Sequence, residues 1–309
     1  MKRAGRLLAH AILMVLITVS VTSAQIPTSE ITKVVMLGTG TPGPDPARSG
    51  PSIAIVVRNT PYIVDFGPGV IRSSAALSPR FGGSIEGLWT HNIKRAFLTH
   101  FHSDHTAGYP DLILTPWPVG RDEPLEVYGP DGIVEMTAHI LKAYQKDIHY
   151  RLYGQESTND RGWRVNAHAI DEGVVYTDEN VKVEAFRVRH GSWPNAFGYR
   201  FTTPDRTIVI SGDSAPSETI LEYSRGADIL IHEVYPLKAG QGKDETWWSY
   251  IRANHTSSHE LAELAAKAKP KLLILYHVLF WGTSPENLID EFSGKYEGEI
   301  VLASDLDVF

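Results

Sequence analysis

The segment His100–His105 constrains this chain most, because it places three imidazoles and one carboxylate within six residues. It reads H-F-H-S-D-H and follows a short apolar run that is typical of a strand. Residues two apart lie on one face of an extended backbone, so His100 and His102 are expected to point together. Asp104 and His105 lie on the following turn and can reach a second point. Neutral imidazole and carboxylate bind zinc, iron and manganese, so the segment indicates a site for two divalent metals.

Three further residues of ligand type end separate apolar runs. A run of alternating apolar and polar residues ends at His190. An apolar run followed by a glycine ends at Asp213, and a third, apolar run ends at His277. Polar residues at the ends of buried strands are where α/β proteins gather their chemistry. Each residue alone is equally compatible with a structural role. Together with the hexapeptide they form a coherent set of histidines and two carboxylates.

The chain resembles the metallo-β-lactamase superfamily, and within it the branch around ribonuclease Z. The resemblance extends from L-G-T-G-T-P-G at Leu37–Gly43 to A-S-D-L-D-V near the end of the chain. It implies an α/β fold, the αββα four-layer sandwich, and the order of the apolar and helical runs is compatible with that fold. It implies one metal held by His100, His102 and His190, a second metal held by Asp104, His105 and His277, and a bridging Asp213.

Two further motifs carry the resemblance to the ribonuclease Z branch. I-V-D-F-G-P-G resembles the family's second-strand aspartate motif, so Asp65 is expected to brace the metal site. L-I-H-E-V-Y and N-H-T-S-S-H-E resemble the branch's glutamate–histidine pair. His255 is therefore the candidate general acid, kept basic and in one tautomer by Glu233. Asp104 is expected to orient the attacking water as well as to bind metal.

Apolar runs predict a first group of strands near residues 34–37, 52–57, 62–66, 96–99 and 125–128. They predict a second group near residues 181–189, 198–202, 207–211, 229–233, 272–277 and 300–303. Helical periodicity predicts helices over residues 132–146, 258–268 and 285–295. Arg48 and Arg200 are candidates for contacting an anionic group. A set of aromatic residues lies close in sequence to the presumed site, in segments that read as loops. Each can line a pocket mouth or pack in the interior, and several at the mouth would favour an apolar or aromatic leaving group. These residues are Trp193, Trp247, Trp248, Phe280 and Trp281.

The N-terminal residues 1–24 are predicted to be a signal peptide, and residues 25–309 a single hydrolase domain. The first segment has a basic start, an apolar stretch and small residues before Gln25. Its apolar stretch is short for a spanning helix, which needs about 20 residues. Cleavage would leave no stable membrane anchor, so the expected location is periplasmic or secreted. The chain has no cysteine and therefore no thiolate ligand.

The charge of the chain bears on its substrate. The formal net charge is −7, and the predicted signal peptide carries three basic residues and no acidic one, so the mature chain is more negative still. Proteins that bind polyanions need basic surface, so a nucleic-acid partner is disfavoured. Residues 145–164 correspond to the arm with which the family grips RNA, but this segment is short and mixed in charge. The expected function is an exported dinuclear-metal-dependent hydrolase of a small ester, either a phosphodiester or an aryl sulfate.

Several alternatives stay open at this level. A ribonuclease Z-like phosphodiesterase acting on RNA is the first, and a lactonase or β-lactamase is another. A metal- or ligand-binding protein without activity could share the fold, but a binder needs no proton donor. The expected cofactors are two divalent ions, with zinc foremost and manganese or iron as alternatives. The oligomeric state is open, and a homodimer is compatible with the sequence.

Overall fold

The computed structural model describes residues 31–156, 158–238 and 242–309. The predicted signal peptide, residues 1–24, lies outside these ranges. None of the helices within them is both long and apolar enough to cross a bilayer.

Six strands form the first sheet, which starts with antiparallel pairs and continues with parallel ones. Each strand pairs with the next one in the chain. Most of these strands are rich in aliphatic and β-branched residues, which favour the pleated conformation. In order across the sheet they are β1 (Thr32–Gly38), β2 (Ser52–Val57), β3 (Thr60–Val64), β4 (Arg95–Phe97), β5 (Leu125–Gly129) and β6 (Val165–Ala169).

Seven strands form the second sheet, which follows the same plan. The first four strands pair antiparallel, and the later ones pair parallel. In chain order they are β7 (Gly173–Thr177), β8 (Lys182–His190), β9 (Trp193–Thr202), β10 (Thr207–Ile210), β11 (Ile229–Val234), β12 (Leu272–Val278) and β13 (Glu299–Leu302).

Helices connect the strands and cover the outer faces of both sheets. In the part of the chain that the structure describes, three short 3₁₀ helices lie at Pro79–Phe81, Glu86–Leu88 and Thr90–Asn92. The α-helices are α1 (Val70–Leu77), α2 (Ser103–Thr106), α3 (Tyr109–Leu114), α4 (Ile133–Ala143), α5 (Gln145–Tyr153), α6 (Glu218–Ser224), α7 (Glu245–Asn254), α8 (Ser258–Ala268) and α9 (Pro285–Asp290).

The alternation of side chains along each strand divides the hydrophobic core into layers. In β1, Val34 and Met36 point into the core between the two sheets, whereas Val35 and Leu37 point outward. The outer face of the first sheet packs against α1, α3 and α4, and the outer face of the second packs against α6, α8 and α9. The layers are therefore helix, sheet, sheet and helix, and the predicted αββα sandwich is confirmed.

Local elements differ from the sequence prediction in several places. Residues 132–146 form α4 and the start of α5 rather than one helix, because Tyr144 leaves helical geometry at φ −96° and ψ 11°. The last predicted helix ends at Asp290 instead of continuing to residue 295. Trp247 and Trp248 lie on α7, and Trp193 is the first residue of β9, so the prediction of loops at these three residues is wrong.

Candidate metal centre and active site

The hexapeptide follows β4 at the end of the first sheet, and its last three residues begin α2. His100 is fully buried, and the short helix α2 turns Asp104 and His105 back toward it. Close approach of the backbone makes this turn possible. A Cβ at Gly67 would lie 2.4 Å from the carbonyl oxygen of Asp104, so only glycine fits at that position. The G-P-G segment after β3 therefore packs directly against the hexapeptide.

The first ligand cluster joins the hexapeptide to the second sheet. His100, His102, His190 and Asp213 each offer a ligand atom, and these atoms lie within 4.8 Å of one another. The Nδ1 atom of His102 is 3.0 Å from Nε2 of His100 and 3.1 Å from Nε2 of His190. His190 is the last residue of β8, and Asp213 follows β10, so strands of the second sheet supply both.

The second ligand cluster contains Asp104, His105 and His277, again with ligand atoms within 4.8 Å of one another. The Oδ2 atom of Asp104 is 3.2 Å from Nε2 of His277 and 3.6 Å from Nε2 of His105. Asp213 lies between the clusters. Its Oδ2 is 3.8 Å from His100 Nε2, and its Oδ1 is 3.5 Å from His105 Nε2. The structure thus brings all the predicted ligands together, with Asp213 in the bridging position.

Hydrogen bonds on the far side of the rings set the histidine tautomers. His105 Nδ1 donates to Asp65 Oδ2 at 2.8 Å, and His190 Nδ1 donates to the carbonyl oxygen of Asn254 at 2.8 Å. The hydroxyl of Thr99 donates to Asp65 and can accept from Nδ1 of His100. All three rings therefore present the lone pair of Nε2 to the site, as metal-binding histidines do. The predicted contact of Asp65 with the site is confirmed.

The donor set fits two divalent cations. Nitrogens of His100, His102 and His190 converge at 3.0 to 3.1 Å, and a cation among them would satisfy their lone pairs. In the second cluster, Nε2 of His105 and Nδ1 of His277 are buried without a hydrogen-bond partner, as is Oδ1 of Asp213. Buried polar atoms normally have partners, so their convergence here indicates a ligand.

The electrostatics of the clusters also favour cations. Burial lowers the pKa of His100 well below its ordinary value, with further lowering from His105, and this keeps the ring neutral for ligation. Burial alone would also lower the pKa of His105. The carboxylates of Asp213 and Asp65 outweigh that effect and raise its pKa well above the ordinary value. The bridging region therefore has a strongly negative potential.

Two site residues have backbone conformations that are unusual for residues other than glycine. Asp65 has φ 59° and His277 has φ 45°. Such conformations are strained and tend to occur where function needs a particular side-chain direction. His277 lies one residue before the end of β12, and its left-handed conformation turns the ring toward Asp104.

Glu233 and His255 form a pair beside the clusters. Glu233 Oε1 is 3.5 Å from Nδ1 of His255 and accepts a hydrogen bond from the backbone of Thr256 at 2.9 Å. Burial opposes the charged form of His255, but the Glu233 carboxylate outweighs it and raises the pKa of His255 above its ordinary value. The His255 ring lies 5.4 Å from that of His190, measured between centroids, so the pair borders the first cluster.

Two open cavities lead to the first metal cluster and to the Glu233–His255 pair, and residues of α7 line both cavities. One, of about 840 Å³, is lined by His102 and Trp193. The other, of about 610 Å³, is lined by His255 and Arg48. The second cavity also has the aromatic walls Trp247, Tyr250, Phe280 and Trp281.

Trp248 and Arg200 line neither cavity. Trp248 packs with Tyr235, Ile251 and Leu279 instead of lining either one. Arg200 lies opposite Val209 in the strand register, so it is on the outer face of the second sheet. The structure therefore gives no support to Arg200 as an anion contact.

Sequence reasoning missed the residues that support the ligands. Thr99 bonds Asp65 through its backbone N–H at 2.8 Å, and Asn254 acts through its carbonyl oxygen. Thr99 directly precedes the hexapeptide, so a search of its flanks would have found it. A backbone carbonyl has no signature in the sequence, and therefore the role of Asn254 could not be predicted.

Two facing sheets with paired histidine and aspartate clusters at the ends of their strands define a hydrolase fold of the metallo-β-lactamase type. Residues 62–278 match the family model described as the beta-lactamase superfamily domain, and the chain belongs to the metallo-β-lactamase superfamily. It is a metal-dependent hydrolase of the ribonuclease Z-like branch. A ribonuclease Z from Mycobacterium sp. (strain KMS) is 30% identical over 250 residues, which cover 80% of this chain and 84% of that protein.

Solved structures share the fold. The short form of human tRNase Z superposes with a TM-score of 0.64 at 22% identity, covering 90% of this chain and 98% of that one. A metallo-β-lactamase fold protein of Bacillus subtilis superposes with a TM-score of 0.68 at 20% identity, covering 90% of this chain and 98% of that one. These likenesses show that the shared fold extends over nearly the whole described chain.

Proposed function

We propose that this chain is a dinuclear phosphodiesterase that cleaves phosphodiester bonds whose leaving group is an alcohol, as in RNA. The Glu233–His255 pair is the observation that carries this proposal. An alkoxide leaves slowly unless it is protonated, so an enzyme that expels one benefits from a general acid. An aryl sulfate releases a stable phenolate and has less need of such an acid. The relatives named ribonuclease Z support the same reading.

The residues of the site have separate tasks in this scheme. The two clusters would hold two divalent ions, which supply positive charge to stabilise the phosphoryl oxygens and to activate water. Asp104 orients the attacking water from the second cluster. His255 has Nδ1 directed at Glu233, and this leaves Nε2 to protonate the departing oxygen. Glu233 is itself held by the backbone of Thr256, so the acid is fixed in place. Zinc is proposed for both ions, because imidazole-rich sites suit it.

A second candidate is an exported hydrolase of small esters, including aryl sulfates. The net charge of −7 favours it, since a long polyanion would be repelled. Residues 145–164, where the sequence resemblance locates an RNA-gripping arm, form α5 and a loop within their described part. The aromatic cavity is equally compatible with an aryl group. Short or single-stranded RNA and small diesters thus remain better matched to this surface than a long folded RNA.

The test is a substrate panel for the metal-loaded chain without residues 1–24. It contains a dinucleoside phosphate, an RNA with a 3′ extension, bis(p-nitrophenyl) phosphate, p-nitrophenyl sulfate, a lactone and a β-lactam. Hydrolysis of the phosphodiesters is expected, and Asp213→Asn should abolish it because the bridging charge is lost. Selective hydrolysis of the sulfate, lactone or lactam would reject the proposal.

We also propose that the protein is exported from the cytoplasm. Residues 1–24 carry basic, apolar and small-residue regions in the order of a signal peptide. N-terminal sequencing of the protein from its native host should begin at or near Gln25. Soluble cytoplasmic protein that retains Met1 would contradict export and would favour an intracellular RNA substrate.

A further inference from the structure

We propose that the cavity beside His255 is the leaving-group subsite and that it selects a planar aromatic group, such as an unstacked nucleobase. The inference rests on the proposed function, because it takes His255 as the proton donor. The cavity has a volume of about 610 Å³, within the usual range for small-ligand sites. His255 and the aromatic residues Trp247 and Trp281 line the same space.

The position of His255 decides which part of the substrate enters this cavity. A general acid must reach the oxygen that departs, so the group attached to that oxygen lies on the His255 side. The other cavity is lined by His102 and Trp193, and His255 is not among its lining residues. Tyr250 of α7 lines both cavities. A diester can therefore place one substituent on each side of this helix.

The walls of the subsite are suited to stacking. The ring centroids of Trp247 and Trp281 are 4.6 Å apart with an interplanar angle of 67°. Trp248 packs edge-on against Trp247 at 4.8 Å, and Nζ of Lys243 lies 5.7 Å from the Trp247 centroid, so the orientation of this ring is fixed by its neighbours. Rings held in place in this way can stack on any base, since every base has a π-face.

Trp281 supplies a second, independent observation. Its φ is 42°, a left-handed conformation that a bulky side chain rarely adopts. Its side chain is nevertheless 37% exposed, so burial of the ring does not account for this conformation. A strained backbone that presents an indole at a cavity mouth is explained by ligand contact.

Arg48 gives the subsite a polar edge. Its Nη1 donates to Thr39 Oγ1 at 2.6 Å and to the carbonyl oxygen of Ala303 at 3.2 Å, and its guanidinium lies 5.6 Å from the Phe280 centroid. Thr39 is in turn bonded to Asp305 at 2.7 Å. A fixed guanidinium at the cavity favours a ring that carries acceptor atoms, as nucleobases do.

The kinetic test compares a dinucleoside phosphate with two analogues that lack either the leaving or the retained base. Removing the leaving base should lower kcat/KM of the wild type by roughly 10- to 100-fold, the scale of base–aromatic stacking. Removing the retained base should have little effect. Trp281→Leu and Trp247→Leu should reduce cleavage of the full substrate to the level of the leaving-base analogue. Trp163→Leu is the matched control, because Trp163 packs with Arg164 and lines neither cavity, and it should preserve the ratio of kcat/KM between the full substrate and the leaving-base analogue. Equal rates on the full and abasic substrates in the wild type would overturn the proposal.

A binding test does not depend on hydrolysis. Adenosine 5′-monophosphate should quench tryptophan fluorescence and bind more tightly than ribose 5-phosphate, and Trp281→Leu should remove that difference. Equal affinity for the two probes rejects the subsite. If no dinucleoside phosphate is cleaved while the difference in affinity is present, the proposed function fails and the aromatic subsite stands.

A further variant separates ring loss from misfolding. Trp281→Gly relieves the positive φ, so the backbone can keep its conformation, and it should reduce selectivity as Trp281→Leu does. Retained base selectivity in a folded Trp281→Gly protein would overturn the assignment of Trp281.

Discussion

Replacing Asp65 by Asn isolates the contribution of a buried carboxylate that orients a ligand residue without being a ligand itself. Its oxygens accept from the Thr99 backbone at 2.8 Å, from the Thr99 hydroxyl at 2.9 Å and from His105 Nδ1 at 2.8 Å. An amide has one acceptor oxygen, so one side of the new group must donate. In one orientation the NH₂ group faces the backbone N–H of Thr99, so two hydrogen-bond donors meet. In the other it faces His105 Nδ1 and selects the tautomer whose Nε2 carries a hydrogen.

Both orientations weaken metal binding at the cluster that contains His105. Loss of such an orienting partner typically costs about 10- to 100-fold in metal affinity, which corresponds to about 1.4–2.8 kcal/mol. The backbone should be unaffected, because Asn tolerates the left-handed conformation found at φ 59°. The metal-free protein should lose about 1–3 kcal/mol of unfolding free energy from the unsatisfied donor.

Zinc titration against a competing chelator measures the two affinities. The Asp65→Asn protein should show one weakened site and a second site that is affected less. Asp178→Asn is a matched control, because that carboxylate also accepts several hydrogen bonds, which are partly buried, but lies at the β7–β8 turn. Unchanged zinc affinity in a folded Asp65→Asn protein would refute the reasoning, and so would equal weakening at both sites.

Three further predictions concern the acid, the metals and the fold. His255→Ala should keep both metals and lower kcat by roughly 10²–10⁴-fold on esters with poor leaving groups, but much less on nitrophenyl esters. Glu233→Gln should give a milder loss in the same direction. Equal losses of kcat on both ester types would mean that His255 has a structural role. Elemental analysis should find two metals per chain, and His102→Ala should lose at least one of them; a wild type that stays metal-free after loading with zinc, manganese and iron would contradict the site. Burial raises the pKa of Asp178, but hydrogen bonds, led by a tyrosine hydroxyl, outweigh it and hold the pKa below its usual value. Its stabilising contribution is therefore present above the unfolded pKa near 4 and is lost as the pH falls through the folded pKa. The melting-temperature deficit of Asp178→Asn should accordingly shrink between pH 7 and pH 3, and a constant deficit would contradict this.

Several central strands of the two sheets were predictable because they are buried on both faces and therefore read as continuous apolar runs. β2 and β11 are buried along their whole length, and both match the predicted runs closely. β6 and β7 escaped prediction because they are half-exposed and carry polar residues. α7 was missed because its inward face uses Trp247, Trp248 and Ile251, which do not produce a simple aliphatic stripe.

The composition of the site was predictable, but its geometry was not. Clustered histidines and aspartates indicate ligands through their chemistry alone. The left-handed backbone at Asp65 and His277, by contrast, depends on tertiary packing that local sequence does not encode. The arrangement of Trp247 and Trp281 around one cavity is likewise a product of assembly, because these residues are far apart in the chain.

The two ligand clusters draw on both sheets, and this has a consequence for how the molecule unfolds. The hexapeptide follows β4 of the first sheet, whereas His190 and His277 belong to strands of the second. Bound ions therefore act as cross-links between the two halves of the sandwich. Ions that bind only the folded chain stabilise it by mass action, by about 4 kcal/mol at a thousand times the dissociation constant. A chelator should thus lower the melting temperature as well as the activity, and the two halves should separate more readily once the ions are gone.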